Sequence, residues 1–188
     1  MRHVPAATAG ELLREGKVGL IPTETVVGLV AGEIGLSRLF EIKVRDLNKP
    51  VALLCGSADQ AFSLASEVPP IARTLASWFW PGPLTLVLDA ASGGTIGVRV
   101  PAHPVVRALL TSHGKPLYAT SANRSGERDP RSLEEVAPNI SDAVDFAVEG
   151  EPGSGEASAV VGLSGGNVRL LRATKSLTED ELARLARG

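Results

Sequence analysis

A single cysteine, Cys55, and three histidines, His3, His103 and His113, leave the chain little material for disulfide or metal chemistry. One thiol closes no internal disulfide, and these residues show no metal-ligand spacing. Aromatic side chains fill only 4% of 188 positions, too few for the stacking platform that single-stranded nucleic acid needs. Long apolar runs are missing as well. The longest, such as Leu84–Leu88 with Thr85 inside it, fall far below the roughly 20 residues of a membrane span. The opening Met1-Arg2-His3-Val4-Pro5 has no apolar stretch of signal-peptide type. Neither charge dominates, since 19 basic and 21 acidic residues give a net −2. An apolar content of 44% without a repeating period excludes both a disordered chain and a fibre. The expectation is one cytoplasmic domain over residues 1–188, with no membrane contact and no structural metal. Such a chain buries roughly 70% of its unfolded surface.

The charges that are present are unevenly spread. From Thr95 to Arg131 there are Arg99, Arg107, Lys115, Arg124, Arg128 and Arg131 against Glu127 and Asp129. From Ser132 to Val161 there are seven acids and no Lys or Arg. That boundary suits a surface for an anionic ligand beside an acidic flank, and equally two ordinary solvated faces.

Local patterns predict helices over Thr8–Glu15 with Thr8 as N-cap, Gly35–Val44 with Ser37 available to cap, Ala58–Ser66 and Pro70–Phe79. Further helices are predicted over Pro104–Leu110, over Ser132–Ala137, and from the Thr178/Glu181 capping box to Ala186. Buried strands are predicted at Val18–Ile21, Val51–Leu54, Leu84–Leu88, Ile96–Val100, Pro116–Thr120 and Val144–Val148. Val160–Leu163 and Val168–Leu171 read as a hairpin about Gly165-Gly166. The irregular alternation and the hairpins point to a mixed sheet with helices on its faces, closer to α+β than to a regular doubly wound α/β fold.

Polar clusters sit at the strand and helix ends. Pro22-Thr23-Glu24-Thr25 follows the Val18–Ile21 strand, where hydroxyls either bind ligand or cap the turn. Lys43, Arg45 and Lys49 close a helix; they can clamp a polyphosphate or answer the helix dipole. Arg99 lies among valines inside a strand, where burial demands an anionic partner, either a ligand or an ion pair. Thr120-Ser121-Ala122-Asn123 ends another strand. Glycine-rich nucleotide signatures are absent, and the Gly150–Gly155 stretch carries Glu151 with Glu156 beside it, which suit phosphate poorly. Cys55, at the end of a hydrophobic strand, reads as core rather than nucleophile.

Taken together, five ordered blocks resemble the YrdC/TsaC family over roughly residues 10–175. They are Ile21-Pro22-Thr23-Glu24-Thr25-Val26-Val27-Gly28-Leu29, Lys43-x-Arg45-x-x-x-Lys49-Pro50 and Trp80-Pro81-Gly82-Pro83-Leu84-Thr85-Leu86. The others are Gly97-Val98-Arg99-Val100-Pro101-Ala102-His103-Pro104 and Ser121-Ala122-Asn123-Arg124-Ser125-Gly126. The chain is similar in length to the short, single-domain form. It departs from the family pattern at Val27, Asp46, Ala157, Ala159, Gly162 and Ala173-Thr174.

The resemblance implies an open, twisted sheet with a concave basic cavity. It also implies threonylcarbamoyl-AMP synthesis, a nucleotidyltransferase reaction of ATP, L-threonine and bicarbonate that supplies the modification of tRNA position 37. By similarity Lys43 and Arg45 are catalytic. Arg45, Lys49, Thr95, Asn123 and Arg172 bind ATP, whose Mg²⁺ travels on the triphosphate. Thr25, Arg99, Ser121 and Ser158 hold threonine. Partners implied by the family are the tRNA threonylcarbamoyl-transfer machinery and, for some members, tRNA or double-stranded RNA. The late departures leave room for a non-catalytic RNA- or ribosome-binding paralogue. A carbamoyl-transfer module, as found inside the larger hydrogenase-maturation enzymes, is the remaining alternative.

Overall fold

Residues 1–43, 51–124 and 126–187 are described by a computed structural model. In chain order the strands are β1 (Arg2–His3), β2 (Val18–Ile21), β3 (Gly28–Ala31), β4 (Ala52–Leu54) and β5 (Leu84–Asp89). They continue with β6 (Thr95–Arg99), β7 (Leu117–Ser121), β8 (Phe146–Ala147), β9 (Ala159–Gly162) and β10 (Arg169–Arg172). The helices are α1 (Ala6–Arg14), α2 (Leu36–Lys43), α3 (Ala58–Phe62) and α4 (Pro70–Phe79), then α5 (Pro104–His113), α6 (Pro138–Ser141) and α7 (Glu179–Leu185). None of these is long and apolar enough to cross a membrane.

The strands form one mixed sheet in the order β1-β8-β2-β3-β7-β4-β6-β5-β9-β10. β8 runs parallel to β1 and β2, β4 to β6, and β5 to β9; the remaining pairs are antiparallel. Because successive side chains of a strand point to opposite faces, the register sorts the core into layers. Leu20 and Leu29 face Leu39 of α2 and Ile140 of α6 on one side. That same side continues with Leu53, Leu86 and Val98 under Leu75 of α4 and Leu182 of α7. The opposite side carries Ile21, Val30 and Leu117 beneath Leu13 of α1 and Val106 and Leu109 of α5.

α1 and α5 approach closely at Gly10, where a Cβ would fall 2.4 Å from Ser112 Oγ. This helix pair packs over β8, β2, β3 and β7 and reaches Leu54 of β4. Beyond it the same face lines a cavity through Ala52 and Leu54, Gly97 and Arg99, Thr85 and Val87, and Val160. The site is therefore placed where one helical layer stops.

Several boundaries differ from the sequence reading. α1 begins after Pro5, not at Thr8, because Ala6 and Ala7 favour helix and Pro5 holds the extended conformation that starts it. α3 ends at Phe62, and the predicted Ser132–Ala137 helix is a single 3₁₀ turn, Leu133–Glu135. Pro138 disfavours helical geometry at Ala137, which is extended. β1, β3 and α6 had no predicted counterpart. The hairpin of β9 and β10 and the capping box of Thr178 with Glu181 are both present.

The layering predicts a sharp contrast in stability. Leu86→Ala, at a fully buried position, should cost about 2–5 kcal/mol in urea unfolding. Trp78→Ala, at a site 72% exposed, should stay within about 0.5 kcal/mol. Comparable losses would contradict the assigned core.

Candidate functional site

The turn after β2 is organised by its own hydroxyls. Thr23 Oγ1 accepts from the amides of Thr25 and Val26, both at 3.1 Å, and donates to the Val26 carbonyl at 2.6 Å. Its single hydrogen is thereby engaged, so at the 2.8 Å contact between the two hydroxyls Thr25 Oγ1 is the donor. The glycine-rich stretch after β8 clamps this turn from outside. Ser154 and Gly155 donate backbone N–H bonds to the carbonyls of Glu24 (3.1 Å) and Thr25 (2.8 Å). Gly153 has to be glycine here, since a Cβ would lie 2.4 Å from Thr25 O.

Arg99, the last residue of β6, points into this turn and is 7% exposed. Its Nε–H donates to Gly82 O at 3.1 Å, Nη1 and Nη2 each donate to Thr25 Oγ1 at 3.1 Å, and Nη2 also donates to Glu24 Oε1 at 2.7 Å. The anionic partner that burial demanded is thus Glu24. Burial works against the charge of the Glu24 carboxyl, yet the Arg99 cation and hydrogen bond, with the Ala102 amide, outweigh it and hold its pKa below the ordinary 4.5. Gly82 is also required by the geometry, because a Cβ would meet Phe79 O at 2.4 Å.

Opposite this cluster stand Ser121 at the end of β7 and Ser158 just before β9. Ser121 Oγ donates to Asn123 Oδ1 at 2.7 Å, which leaves its lone pairs available to a ligand. Lys43 is buried behind them: Nζ donates to Ser121 O at 2.5 Å, to Asn123 Oδ1 at 2.6 Å and to Asn123 O. Asn123 Nδ2 donates in turn to Glu127 O at 2.6 Å. Ser158 Oγ pairs with Thr85 Oγ1 at 2.9 Å and accepts from Arg172 Nη2 at 3.3 Å, while Arg172 Nε holds the Ser158 carbonyl at 2.6 Å. Burial of its head and the nearby Arg99 lower the pKa of Arg172, and Asp129 acts in the opposite sense.

A cavity of about 290 Å³ is lined by Thr25, Arg99, Ser121, Ser158 and Arg172, together with Thr23, Thr85, Asp129 and Ala157. The four residues expected around threonine are therefore brought to one space, with Arg172 at its edge. Lys43 and Asn123 stand behind the lining and set the Ser121 loop. Thr95 shares the face of Gly97 and Arg99 but is exposed at the far end of β6, beyond the lining. Arg45 and Lys49 lie outside the described residues. The Thr25 hydroxyl is taken up by Arg99 and Thr23. Arg99 is buried and so stands apart from the exposed basic residues of the Thr95–Arg131 stretch. Glu24, Thr85 and Asp129 were not assigned a role from sequence; only Glu24 had a signal, an acid beside hydroxyls at a strand end. Among the described residues no group of three or more His, Cys, Asp or Glu could hold a metal ion.

Known proteins share much of this sequence and its fold. Residues 11–174 match the Sua5/YciO/YrdC family model, described as "Telomere recombination". The chain is 38% identical over 169 residues to the threonylcarbamoyl-AMP synthase of Pyrococcus abyssi, covering 83% of this chain and 50% of that protein. With the Bacillus subtilis threonylcarbamoyl-AMP synthase it is 37% identical over 169 residues, covering 82% and 49%. The chain thus spans about half the length of these relatives. The structure of Pyrococcus abyssi Sua5 complexed with L-threonine superposes with a TM-score of 0.88 at 33% identity, over 98% of this chain and 60% of that one.

The Glu24–Arg99 pair carries a pH signature. A carboxyl whose pKa is lowered by folding adds stability that is complete above its unfolded value and is lost as pH falls through the lower folded value. Unfolding free energy should therefore fall more steeply in the native chain than in Glu24→Gln between about pH 5 and pH 2. Parallel curves would show that Glu24 titrates like an unpaired carboxyl.

Proposed function

The chain belongs to the Sua5/YciO/YrdC family, and from that premise we propose that its cavity makes L-threonylcarbamoyl-AMP and pyrophosphate from L-threonine, bicarbonate and ATP. Threonine and bicarbonate give N-carboxy-threonine and water. A carbamate oxygen then attacks the α-phosphorus of ATP, and the bond to the bridging oxygen of pyrophosphate breaks. The observation that carries this reading is a cavity rich in oriented donors and poor in reactive groups. Adenylation by a carboxylate that is already nucleophilic needs alignment and charge neutralisation, not a protein nucleophile.

In this reading Arg99, steadied by the Thr25 hydroxyl, receives the amino-acid carboxylate, and Ser121 and Ser158 read the hydroxyl end of the substrate. Arg45, Lys49 and Arg172 neutralise the triphosphate, and the nucleotide extends along the open sheet face toward Thr95. Lys43 and Asn123 act by holding the Ser121 loop. Asp129 suits a Mg²⁺ ion that keeps mostly water and phosphate ligands. When bound, that ion would neutralise phosphate charge. The product would pass to the machinery that transfers the threonylcarbamoyl group to tRNA, which suits a cytoplasmic protein.

The test is pyrophosphate release with ATP, bicarbonate and each amino acid in turn. Threonine should lead. Serine should be weaker by roughly 1–3 kcal/mol for its missing methyl, and valine weaker still because a buried hydroxyl partner is left unpaired. Equal rates with valine would show that the hydroxyl is not read. Absence of release with every amino acid, alongside salt-sensitive binding of an RNA duplex through the exposed Arg124, Arg128 and Arg131, would favour an RNA-binding role instead.

A further inference from the structure

Two turns about 75 residues apart in sequence are joined by one carboxylate. Glu24 Oε1 accepts from Arg99 Nη2 at 2.7 Å and from the Ala102 amide at 3.1 Å, and Oε2 accepts from the His103 amide at 3.2 Å. His103 is the N-cap of α5, so the carboxylate sits where the positive end of that helix favours an anion. Glu24 is therefore anchored from two directions before any ligand enters. Arg99 is anchored by it in turn.

A guanidinium has five N–H groups in a rigid plane. On Arg99 the Nε hydrogen goes to Gly82 O, both Nη2 hydrogens go to Glu24 and Thr25, and one Nη1 hydrogen goes to Thr25. One Nη1 hydrogen is left without a partner among the described residues, on a side chain that lines the cavity. A loose arginine would grip any anion, phosphate included, through several donors. This arginine can offer only one, in one direction.

We propose that Glu24 is a positioning residue that locks the Arg99 guanidinium so that a single preset N–H receives the carboxylate of the amino-acid substrate. The inference rests on the adenylate-forming reading of the cavity. It predicts a defect confined to the amino-acid end, because among the described residues the Glu24 carboxylate bonds to Arg99, Ala102 and His103 and to none of Thr95, Asn123 or Arg172.

The experiment measures pyrophosphate release by the full chain against threonine and ATP concentrations separately. In Glu24→Gln the KM for threonine should rise about ten- to a hundredfold, with the KM for ATP within about twofold, as expected when a positioning contact is lost. Glu24→Asp keeps the charge on a shorter arm and should recover part of the loss. An unmoved threonine KM, or a parallel rise in both constants, overturns the proposal. A native chain that releases no pyrophosphate with threonine would fail the adenylate reading instead. Nitrogen-15 NMR of the Arg99 side chain in the ligand-free native protein tests the locking without turnover or variants. Slow rotation of its terminal nitrogens is expected, and free rotation overturns the proposal.

Discussion

Arg99 carries a charge into the middle of a sheet, and its pairing with Glu24 is the constraint around which the site is arranged. Removing one member of such a buried pair typically costs about 3–5 kcal/mol, because the other is left charged and unpaired. The pair also needs its surroundings. Gly82, whose carbonyl accepts from Nε, must be glycine because a Cβ would strike Phe79 O, and Gly153 must be glycine so that the next loop can close over the Thr23–Thr25 carbonyls. The Thr25 hydroxyl must hand its hydrogen to Thr23 so that its lone pairs face the guanidinium. Three separated motifs therefore share one hydrogen-bond network.

The cavity follows from an incomplete layer of helices. α1 and α5 bury Ile21, Val30 and Leu117, and then the layer ends. The neighbouring strands turn Ala52, Leu54, Gly97, Val87 and Val160 to the same face, so the floor is largely apolar and its polar groups, Thr85 and Arg99 among them, stand out from it. Gly97 is part of that floor: a Cβ there would touch Thr85 and Ala52 at ordinary distances, so its absence opens room rather than relieving a clash. The far face is packed throughout with Leu53, Leu86 and Val98, which gives the open face a rigid support. Preorganised donors on a rigid support are what charge stabilisation in an adenylation requires.

Much of this was legible in the sequence where local chemistry decides the outcome. Four-residue apolar runs such as Val18–Ile21, the proline-started α4 and the Thr178/Glu181 capping box all carry their signals within a few residues. The need of Arg99 for an anionic partner was legible too, but not that Glu24 meets it, because nothing local links residues so far apart. β3 escaped notice because Gly28 starts it and Gly32 follows it, which weakens its strand signal. The hydroxyl of Thr25 suggested a ligand contact; its use by Arg99 emerges only when the two turns are brought together. The glycines of the Gly150–Gly155 stretch suggested a phosphate loop made unsuitable by its acids, whereas Gly153 serves close packing against the Thr23 and Thr25 carbonyls.

Glu24 and Arg99 are proposed to act as one unit in recognising the amino acid. A double-mutant cycle of Glu24→Gln and Arg99→Gln, read on L-threonine affinity by calorimetry, tests it most directly. A coupling of at least about 1.5 kcal/mol is expected, with the double variant little worse than Arg99→Gln alone. Effects that add to within about 0.3–0.5 kcal/mol would contradict the account.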